Sequence, residues 1–449
     1  MHAVIEITDP LPGARSHEPI NFTVEQELRE PLWWAVTDDG ERVMCQRLQG
    51  GSDASQTTFV AVVSFAGSIR LTLQEPCSDQ AGFGGIISLP GKEIDCFARL
   101  NTGAFDLELC FGTAQGLGSS KWGLRHFRSI ADNFELLPSG NNAIGGFYGP
   151  FFTPENGLIN PPEHTKVEIE IMEKGPLLHH YRMHGTIPDG LLDELKGKSF
   201  SIDWRFTYGT PYFQRKYRVD DFSTVINGRS VTNKITVGDE FEGGPGELVF
   251  DRFAAYGGTR YRVGDPYAGE LVAMVAKTVA SSENQSEKFE EFRTHLTDIE
   301  AAHWDLYWRL FCVWEGVLSV DEIRSRLSEV RSASHVKADL NDRPWILTSD
   351  AVDVSAVPHE TIFAGPANKT VEYHVESGRS MIWWTSAASG AFQIVQRRQS
   401  GWVNWGSNGE NECPELPVGV DIKTAYGHFV DRWTSVADQL ETAPIVLVR

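Results

Sequence analysis

Short runs in which apolar and polar residues alternate dominate the first part of the chain. Seven such runs lie within residues 1–95: VIEIT, INFTVEQEL, PLWWAVT, ERVMCQRL, TTFVAVVSFA, SIRLTLQ and GGIISL. Glycine, proline, aspartate and serine separate them, which is typical of turns between strands. Strands this short and this regularly spaced predict a small N-terminal β-barrel or β-sandwich over residues 1–95.

The alternating pattern continues with longer strands and longer loops and predicts a central β-sandwich over residues 96–280. Residues 129–164 interrupt it with a segment rich in glycine, proline, asparagine and aromatic residues. Connections this long are uncommon unless they are functional or disordered. Because aromatic side chains favour burial, we expect an ordered loop over one edge of the sheet.

Helical periodicity appears only late in the chain. Residues 297–311 place apolar side chains on one stripe and begin with a capping box, and residues 319–330 begin in the same way. We therefore expect a helical bridge over residues 281–335, followed by a C-terminal β-sandwich over residues 336–449. The predicted fold class is mainly β: a multi-domain β-sandwich with a short helical insertion before its last domain.

Polar strands follow one another in the middle of the chain, at 166–173, 177–185, 200–208 and 212–220. Side chains on a strand alternate between its two faces, so His180, Arg182 and His184 share one face, while His179 and Tyr181 point to the other. A face with this many imidazoles and guanidiniums is not a hydrophobic core. It is either a solvated sheet surface or the floor of a cleft that binds a polar, anionic ligand.

The overall charge excludes several classes of partner. The chain has 449 residues, 41% of them hydrophobic, and a formal net charge of −21. Nucleic acids and anionic membranes require a cationic surface, so we expect neither partner. No apolar run is long enough to span a membrane and the N-terminus lacks a secretory signal, so we expect a cytoplasmic protein. Whether the acidic surface includes a homo-oligomer interface stays open.

Familiar catalytic and metal motifs are absent from the sequence. It has no Walker A loop, no GxSxG elbow, no GxGxxG after a strand and no HExxH, which disfavours nucleotide enzymes and serine hydrolases. The cysteines show neither CxxC pairs nor zinc-ligand spacing: Cys45, Cys77, Cys96, Cys110, Cys312 and Cys413. We therefore expect buried or free thiols and no disulfide framework.

Several tryptophans occur in close pairs: Trp33 with Trp34, Trp383 with Trp384, and Trp402 with Trp405. Sugars stack their apolar faces on aromatic rings, so these pairs are candidate carbohydrate platforms. Packing in the core is the simpler interpretation of each one.

The run EKGPLLHHYRMHG…FSIDWRFTYGTPYFQRKYRVDD resembles the galactose-mutarotase-type β-supersandwich of several polysaccharide lyases and glycosidases. In particular, an N-terminal barrel followed by a central sandwich is similar to the rhamnogalacturonan exolyase group. The resemblance implies a β-supersandwich for the central domain and an oligosaccharide or glycoside as the substrate.

Elimination from a uronate sugar requires a base for the C5 proton, an acid for the leaving oxygen and cations for the carboxylate. The candidate bases are His180 and His184, and the candidate acids are Tyr148 and Tyr181. Arginine binds carboxylates with a bidentate fork. The candidate substrate-binding residues are Arg182, Arg205, Lys216, Arg125, His126 and Asn142.

Metal binding is the competing use of the histidines, with His164 and Glu163 as further candidate ligands. On a strand, His180 and His184 are ~13 Å apart, so only one of them could bind a given ion. We predict no certain cofactor, and a divalent metal stays an open alternative.

The leading hypothesis is a lyase that cleaves a uronate-containing or oxidised glycoside by β-elimination. One alternative is a glycoside hydrolase or epimerase on the same scaffold, with a carboxylate such as Glu155 or Glu242 beside a histidine. The other is a non-catalytic carbohydrate-binding subunit, in which the tryptophan pairs matter and the histidines do not.

Overall fold

A computed structural model shows that the protein is mainly β and built of β-sandwiches, which confirms the predicted fold class. It describes residues 3–50, 55–77, 83–112, 122–137, 143–148, 167–186, 197–219, 224–226, 229–231, 234–242, 249–250, 252–256, 360–364, 367–374, 376–389, 392–397, 401–406, 416–417 and 419–449. The predicted helical bridge over 281–335 lies outside the described residues. Within them, no helix is long and apolar enough to cross a membrane.

The chain divides into two compact units. The first comprises Met1–Gly146, Asn160–Asn233 and Val418–Arg449, and the second comprises Phe147–Ile159 and Lys234–Pro417. The four-domain division with boundaries at 95, 280 and 335 stays a prediction. The last 32 residues belong to the first unit, which the local sequence pattern does not indicate.

The strands alternate with short connections in the described part of the chain. The first fifteen are β1 (Val4–Thr8), β2 (Ala14–Val24), β3 (Leu32–Thr37), β4 (Arg42–Arg47), β5 (Thr57–Ala66), β6 (Ser68–Pro76), β7 (Ile87–Leu89), β8 (Cys96–Asn101), β9 (Phe105–Cys110), β10 (Gly123–Ser129), β11 (Ile144–Tyr148), β12 (Val167–Lys174), β13 (Leu178–Thr186), β14 (Ser199–Thr207) and β15 (Tyr212–Val219). They are followed by β16 (Thr224–Ile226), β17 (Arg229–Val231), β18 (Lys234–Glu242), β19 (Arg252–Tyr256), β20 (Glu360–Ala364), β21 (Ala367–Tyr373), β22 (Ser380–Ser389), β23 (Phe392–Arg397), β24 (Trp402–Gly406), β25 (Leu416–Pro417), β26 (Asp421–Gly427), a 3-10 turn (Val430–Arg432), helix α1 (Trp433–Glu441) and β27 (Ile445–Val448).

Seven antiparallel strands of the first unit form what we call the first sheet, in the order β2, β5, β4, β3, β6, β1 and β27. Its apolar positions follow the two-residue period, so Ile5 and Ile7 are buried on either side of the half-buried Glu6. Phe22 and Phe59 stack in the same core with their ring centroids 5.5 Å apart. Strand β27 completes the sheet by pairing with β1, which joins the two ends of the chain.

A sandwich forms the rest of the first unit. We call β12, β13, β14, β15 and β26 the second sheet, and β7 to β11 the third sheet. Aromatic side chains fill the space between these two sheets, for example Phe127 against Phe213 and Trp122 against Phe200. The inner face of the second sheet is therefore largely apolar, with His179 and Arg215 as buried polar exceptions, and most of the polar residues lie on its outer face.

Gln46 on β4 joins the first sheet to the second. This buried side chain accepts hydrogen bonds from the Leu177 and Leu178 backbone N–H groups at 2.9 and 3.0 Å, and its amide donates to the Leu178 carbonyl at 3.3 Å. Gly175 makes the approach feasible, because a Cβ there would lie 2.3 Å from the Gln46 amide carbon. The contact places β2, β4 and β5 over the outer face of the second sheet.

The second unit has a core built on two tryptophans. Trp383 and Trp405 are fully buried and stack with their ring centroids 4.7 Å apart. Their indole N–H groups donate to Asp239 and Thr370, both at 2.7 Å. These two tryptophans are core residues, so they do not serve as sugar platforms. Trp33 also packs on a core, that of the first sheet.

We predict that Gln46→Ala lowers the free energy of unfolding by about 2–3 kcal/mol, because two buried backbone N–H groups lose their acceptor. Urea unfolding at neutral pH measures the change. Gln49→Ala is the matched control, since the Gln49 side chain is exposed, and it should change the value by less than about 0.5 kcal/mol. Equal stability of the two variants would contradict the role of Gln46.

Candidate functional site

A cleft of about 290 Å³ lies between the first and second sheets, within the first unit. Strands β13 and β14 contribute His180, Arg182 and Arg205 to its floor, and β2 contributes Pro19 and Asn21 to the opposite wall. The floor exists because these side chains alternate with the buried residues of the sandwich core. The polar face that the sequence predicts is therefore partly covered by the first sheet.

His180 of this floor pairs with Asp203 of β14. His180 Nε2 lies 3.2 Å from Asp203 Oδ1, and both residues are buried. When Nε2–H donates to the carboxylate, neutral imidazole keeps the lone pair of Nδ1 for accepting a proton. Asp203 thus orients the ring and would stabilise it in the protonated state.

Two arginines complete the surroundings of Asp203. Arg182 donates to its carboxylate at 2.8 Å, and the Arg218 guanidinium lies 3.3 Å from it. Burial would raise the pKa of Asp203, but the hydrogen bonds from His180 and Arg182 outweigh it and hold that pKa well below its ordinary value. The carboxylate is ionised at neutral pH.

Arg205 is the cation of the cleft whose side chain has no partner among the described residues. It lies opposite His180 in the register of β13 and β14, it is exposed, and its side chain makes no ion pair or hydrogen bond with any other residue in the described ranges. Arg205 and Gln214 also line an adjoining hollow of about 130 Å³. In that hollow Lys216 pairs with Asp421 at 3.3 Å. Arg205 is therefore available to bind an anion from either space.

The remaining carboxylate of the cleft, Glu173, has a structural role. It is buried and accepts hydrogen bonds from the backbone N–H groups of Gln49 and Gly50. Glu173 thereby holds the loop after β4 at the rim of the cleft. A carboxylate whose oxygen already accepts two backbone hydrogen bonds is a poor base.

Tyr212, which the sequence analysis did not single out, also lines the cleft. Its hydroxyl donates to Glu18 of β2 at 3.3 Å. Burial and then the Glu18 charge raise the pKa of Tyr212 well above its ordinary value, so the phenol stays protonated. Strand alternation also places Asp203 and Gln214 on this outer face, although neither is among the predicted site residues. Tyr212 shares the face of Gln214 by the same alternation, but its contact with Glu18, on a strand some 190 residues earlier in the chain, has no local signal in the sequence.

The structure separates two predicted catalytic residues from the cleft. His184 shares the face of His180 but lies beyond the cleft lining, where its Nε2 is 3.4 Å from Glu170. Tyr181 lies on the opposite face, buried in the sandwich, and its hydroxyl lies 2.6 Å from His179 Nδ1. Burial raises the pKa of Tyr181, and burial and Lys174 lower the pKa of His179 to about 4. Tyr181 is thus not an acid for a substrate held by His180.

Arg125 and His126 lie on β10 of the third sheet and line neither the cleft nor the adjoining hollow. Arg125 is 3.8 Å from both Glu93 and Asp95. His126 Nδ1 is 2.5 Å from Glu135. The structure therefore does not bring these two predicted substrate-binding residues together with His180, because they belong to the other layer of the sandwich.

The structure does not describe the side chains of four further predicted site residues. Asn142, Glu163 and His164 are outside the described residues, and for Tyr148 the structure describes the strand position alone. In the described ranges, no group of three or more histidine, cysteine, aspartate or glutamate side chains is placed to hold a metal ion. A divalent metal bound by Glu163 and His164 stays a prediction.

No model of a known protein family matches the sequence, and the comparison with curated proteins finds no match. Solved structures do match. An alpha-mannosidase from Enterococcus faecalis has a TM-score of 0.47 and 8% identity, over 100% of this chain and 46% of its own. A protein in the glycosyl hydrolase family 38 from the same organism has a TM-score of 0.46 and 7% identity, over 100% and 47%. The chain spans about half the length of these two proteins.

Two sugar epimerases also match. A putative aldose 1-epimerase from Klebsiella pneumoniae has a TM-score of 0.35 and 9% identity, over 94% of this chain and 95% of its own. Galactose 1-epimerase from Lactobacillus acidophilus has a TM-score of 0.32 and 10% identity, over 76% and 98%. At these scores and identities the likenesses establish neither a family nor an activity for this chain. The resemblance to the galactose-mutarotase-type β-supersandwich and the likeness to rhamnogalacturonan exolyases stay predictions.

We predict that acid removes the contribution of Asp203 to stability. Its pKa is depressed in the folded state, so its stabilisation is complete above the ordinary value of about 4 and is lost as the pH falls. Wild type should therefore lose more free energy of unfolding than Asp203→Asn between about pH 5 and pH 2. Urea unfolding in pH steps measures both curves.

The control for this titration is Asp38→Asn, at an exposed position of the first unit, whose curve should parallel that of wild type. Parallel curves for wild type and Asp203→Asn would show that the Asp203 ion pairs are absent in solution.

Proposed function

We propose that the protein is a carbohydrate-active enzyme whose cleft binds an acidic glycoside, and that it cleaves this glycoside as a lyase. The observation that supports it is the pairing of His180 on Asp203 directly beside Arg205, a cation without a partner among the described residues. The pair provides a proton acceptor, and the free guanidinium provides a site for the substrate carboxylate.

The lining of the cleft fits a sugar better than an apolar ligand. It combines hydrogen-bonding side chains, such as Asn21, Thr207 and Gln214, with apolar ones, such as Leu48 and Val60. Sugars present hydroxyl groups at their edges and apolar C–H faces, so both kinds of lining are used. The cleft and the adjoining hollow provide space at the lower end of the usual range for small-molecule sites.

Each residue has a defined part in the proposed elimination. Arg205 neutralises the uronate carboxylate, which acidifies the C5 proton next to it. His180 Nδ1 accepts that proton, the C5 electron pair forms the C4–C5 double bond, and the C4–O bond breaks. The imidazolium then returns a proton to the departing oxygen, with Asp203 stabilising the charged ring in between.

Hydrolysis is less well supported by the described lining. Glycosidases generally need two carboxyl groups that flank the scissile bond, one to protonate and one to attack or activate water. Asp203 is surrounded by His180, Arg182 and Arg218, and Glu173 accepts backbone hydrogen bonds. Neither carboxylate is available for that role, whereas elimination needs none.

We expect His180→Ala to lower kcat/KM by about 100-fold or more, because it removes the base. Arg205→Gln should lower kcat/KM by about 10-fold to 100-fold, mostly by raising KM, because a charged hydrogen bond to the carboxylate is lost. The measurement is the absorbance of the unsaturated product formed from a panel of uronate-containing oligosaccharides.

Arg70→Gln, at an exposed arginine of β6 outside the cleft, is the matched control and should leave turnover unchanged. Thermal unfolding of each variant shows whether it folds. Appearance of reducing ends without unsaturation would replace the lyase by a hydrolase. Binding of these oligosaccharides without any product would indicate a carbohydrate-binding protein without catalytic activity. The absence of both binding and product would overturn the proposal.

A further inference from the structure

Two cysteines lie directly opposite each other in the third sheet. Cys96 on β8 is the register partner of Cys110 on β9. The hydrogen bond from the Phe111 backbone N–H to the Asp95 carbonyl, 3.0 Å long, lies next to the cysteine pair. The Cys96 backbone N–H donates to the Glu93 carbonyl and therefore makes no hydrogen bond to Cys110. The two residues thus form a non-hydrogen-bonded pair of an antiparallel ladder.

Non-hydrogen-bonded pairs bring side chains closer than any other positions on two strands. Their Cα atoms are about 4.5 Å apart, and their side chains lie on the same face. Disulfides have Cα atoms about 4.4–6.8 Å apart, so this spacing suits a cross-strand bond, and the register shift of the two strands begins only after the pair, between Cys96 and Ala98. Cys45, by contrast, lies opposite Trp33 and Ala61 in the register of the first sheet.

The two thiols differ in accessibility, although both are free in the structure. Cys96 is partly exposed and lines an open hollow of about 460 Å³, together with Phe97 and Lys174. Cys110 is fully buried behind it. A small reagent can therefore reach Cys96 from the hollow, whereas Cys110 presents no surface within the described part of the chain.

We propose that Cys96 and Cys110 are a modification site, where a small-molecule disulfide closes the pair into a cross-strand disulfide. The Cys96 thiolate attacks the reagent, forms a mixed disulfide and releases one thiol. Cys110 then attacks the Cys96 sulfur and expels the second thiol. Two protein thiols are oxidised by two electrons with the loss of two protons, and the reagent disulfide is reduced to two thiols.

The surroundings of the pair make this reaction slow at neutral pH. Burial, and after it the neighbouring Glu108 carboxylate, raise the pKa of Cys96 to about 12. Burial and then Asp95 raise the pKa of Cys110 still further. Because the thiolate is the nucleophile, the rate should increase about tenfold per pH unit below these values. The pair is thus stable as thiols and closes when the exposure is long or the medium is alkaline.

The closed form should unfold at a higher temperature. The bond would close a loop of about 15 residues and restrict the unfolded chain. For a compact unit of this size, we expect a rise in the unfolding midpoint of about 5 °C. This rise separates an unstrained disulfide from one that distorts the sheet, which would lower the midpoint.

The test uses the full chain, incubated with oxidised glutathione at pH 7 and at pH 9. After incubation, the remaining thiols are alkylated in denaturant. The protein is then digested, and the masses of the peptides are measured by mass spectrometry. We expect a linked peptide that joins Cys96 to Cys110, formed about 100-fold faster at the higher pH, and loss of two alkylated thiols. Cys77→Ser is the matched control and should form the same link.

Cys110→Ala distinguishes the order of attack, because it should accumulate a glutathione adduct on Cys96 that wild type does not retain. A stable glutathione adduct on Cys96 in wild type would overturn the proposal, and so would two unreacted thiols after prolonged incubation at pH 9. A linked form that unfolds at a lower temperature than the reduced protein would overturn the claim that the ladder geometry already suits the bond.

Discussion

The two-residue period of β13, held under the first sheet by Gln46, is the constraint on which the other features depend. One set of side chains on this strand packs into the sandwich, and the alternate set faces the cleft. The Gln46 hydrogen bonds to Leu177 and Leu178 fix where the first sheet covers that outer face. The contacts of Tyr212 with Glu18 and of Glu173 with the loop after β4 hold the same two sheets together, so His180 lies in a cleft rather than on an open sheet surface, where bulk water weakens charged interactions.

Charge pairing then determines which groups of the cleft are available for chemistry. Asp203 forms ion pairs with Arg182 and Arg218 and orients the His180 ring. The Glu173 carboxylate accepts hydrogen bonds from backbone N–H groups. Arg205 keeps its charge for a ligand. Among the described residues of the cleft, Arg205 is the guanidinium without a side-chain partner, and on a strongly acidic chain it is suited to binding one anionic group selectively rather than a polyanion.

Local sequence patterns were sufficient for the parts of this arrangement that depend on one strand. The mainly β fold and the shared face of His180, Arg182 and His184 follow from alternation alone. The same alternation should have excluded Tyr181 from a site with His180, since it points to the opposite face. Patterns within a strand do not reveal its partners: the pairing of β27 with β1, the contact of Tyr212 with Glu18, and the opposition of Cys96 and Cys110 all depend on register between distant segments.

A crystal structure of the His180→Ala variant with a uronate-containing disaccharide tests the central claim most directly, since the variant should bind its substrate without converting it. The account predicts density for the sugar in the cleft, with its carboxylate on the Arg205 guanidinium and its C5 facing the position vacated by the imidazole. A sugar bound elsewhere on the molecule, or in the cleft with its carboxylate directed away from Arg205, would contradict the account.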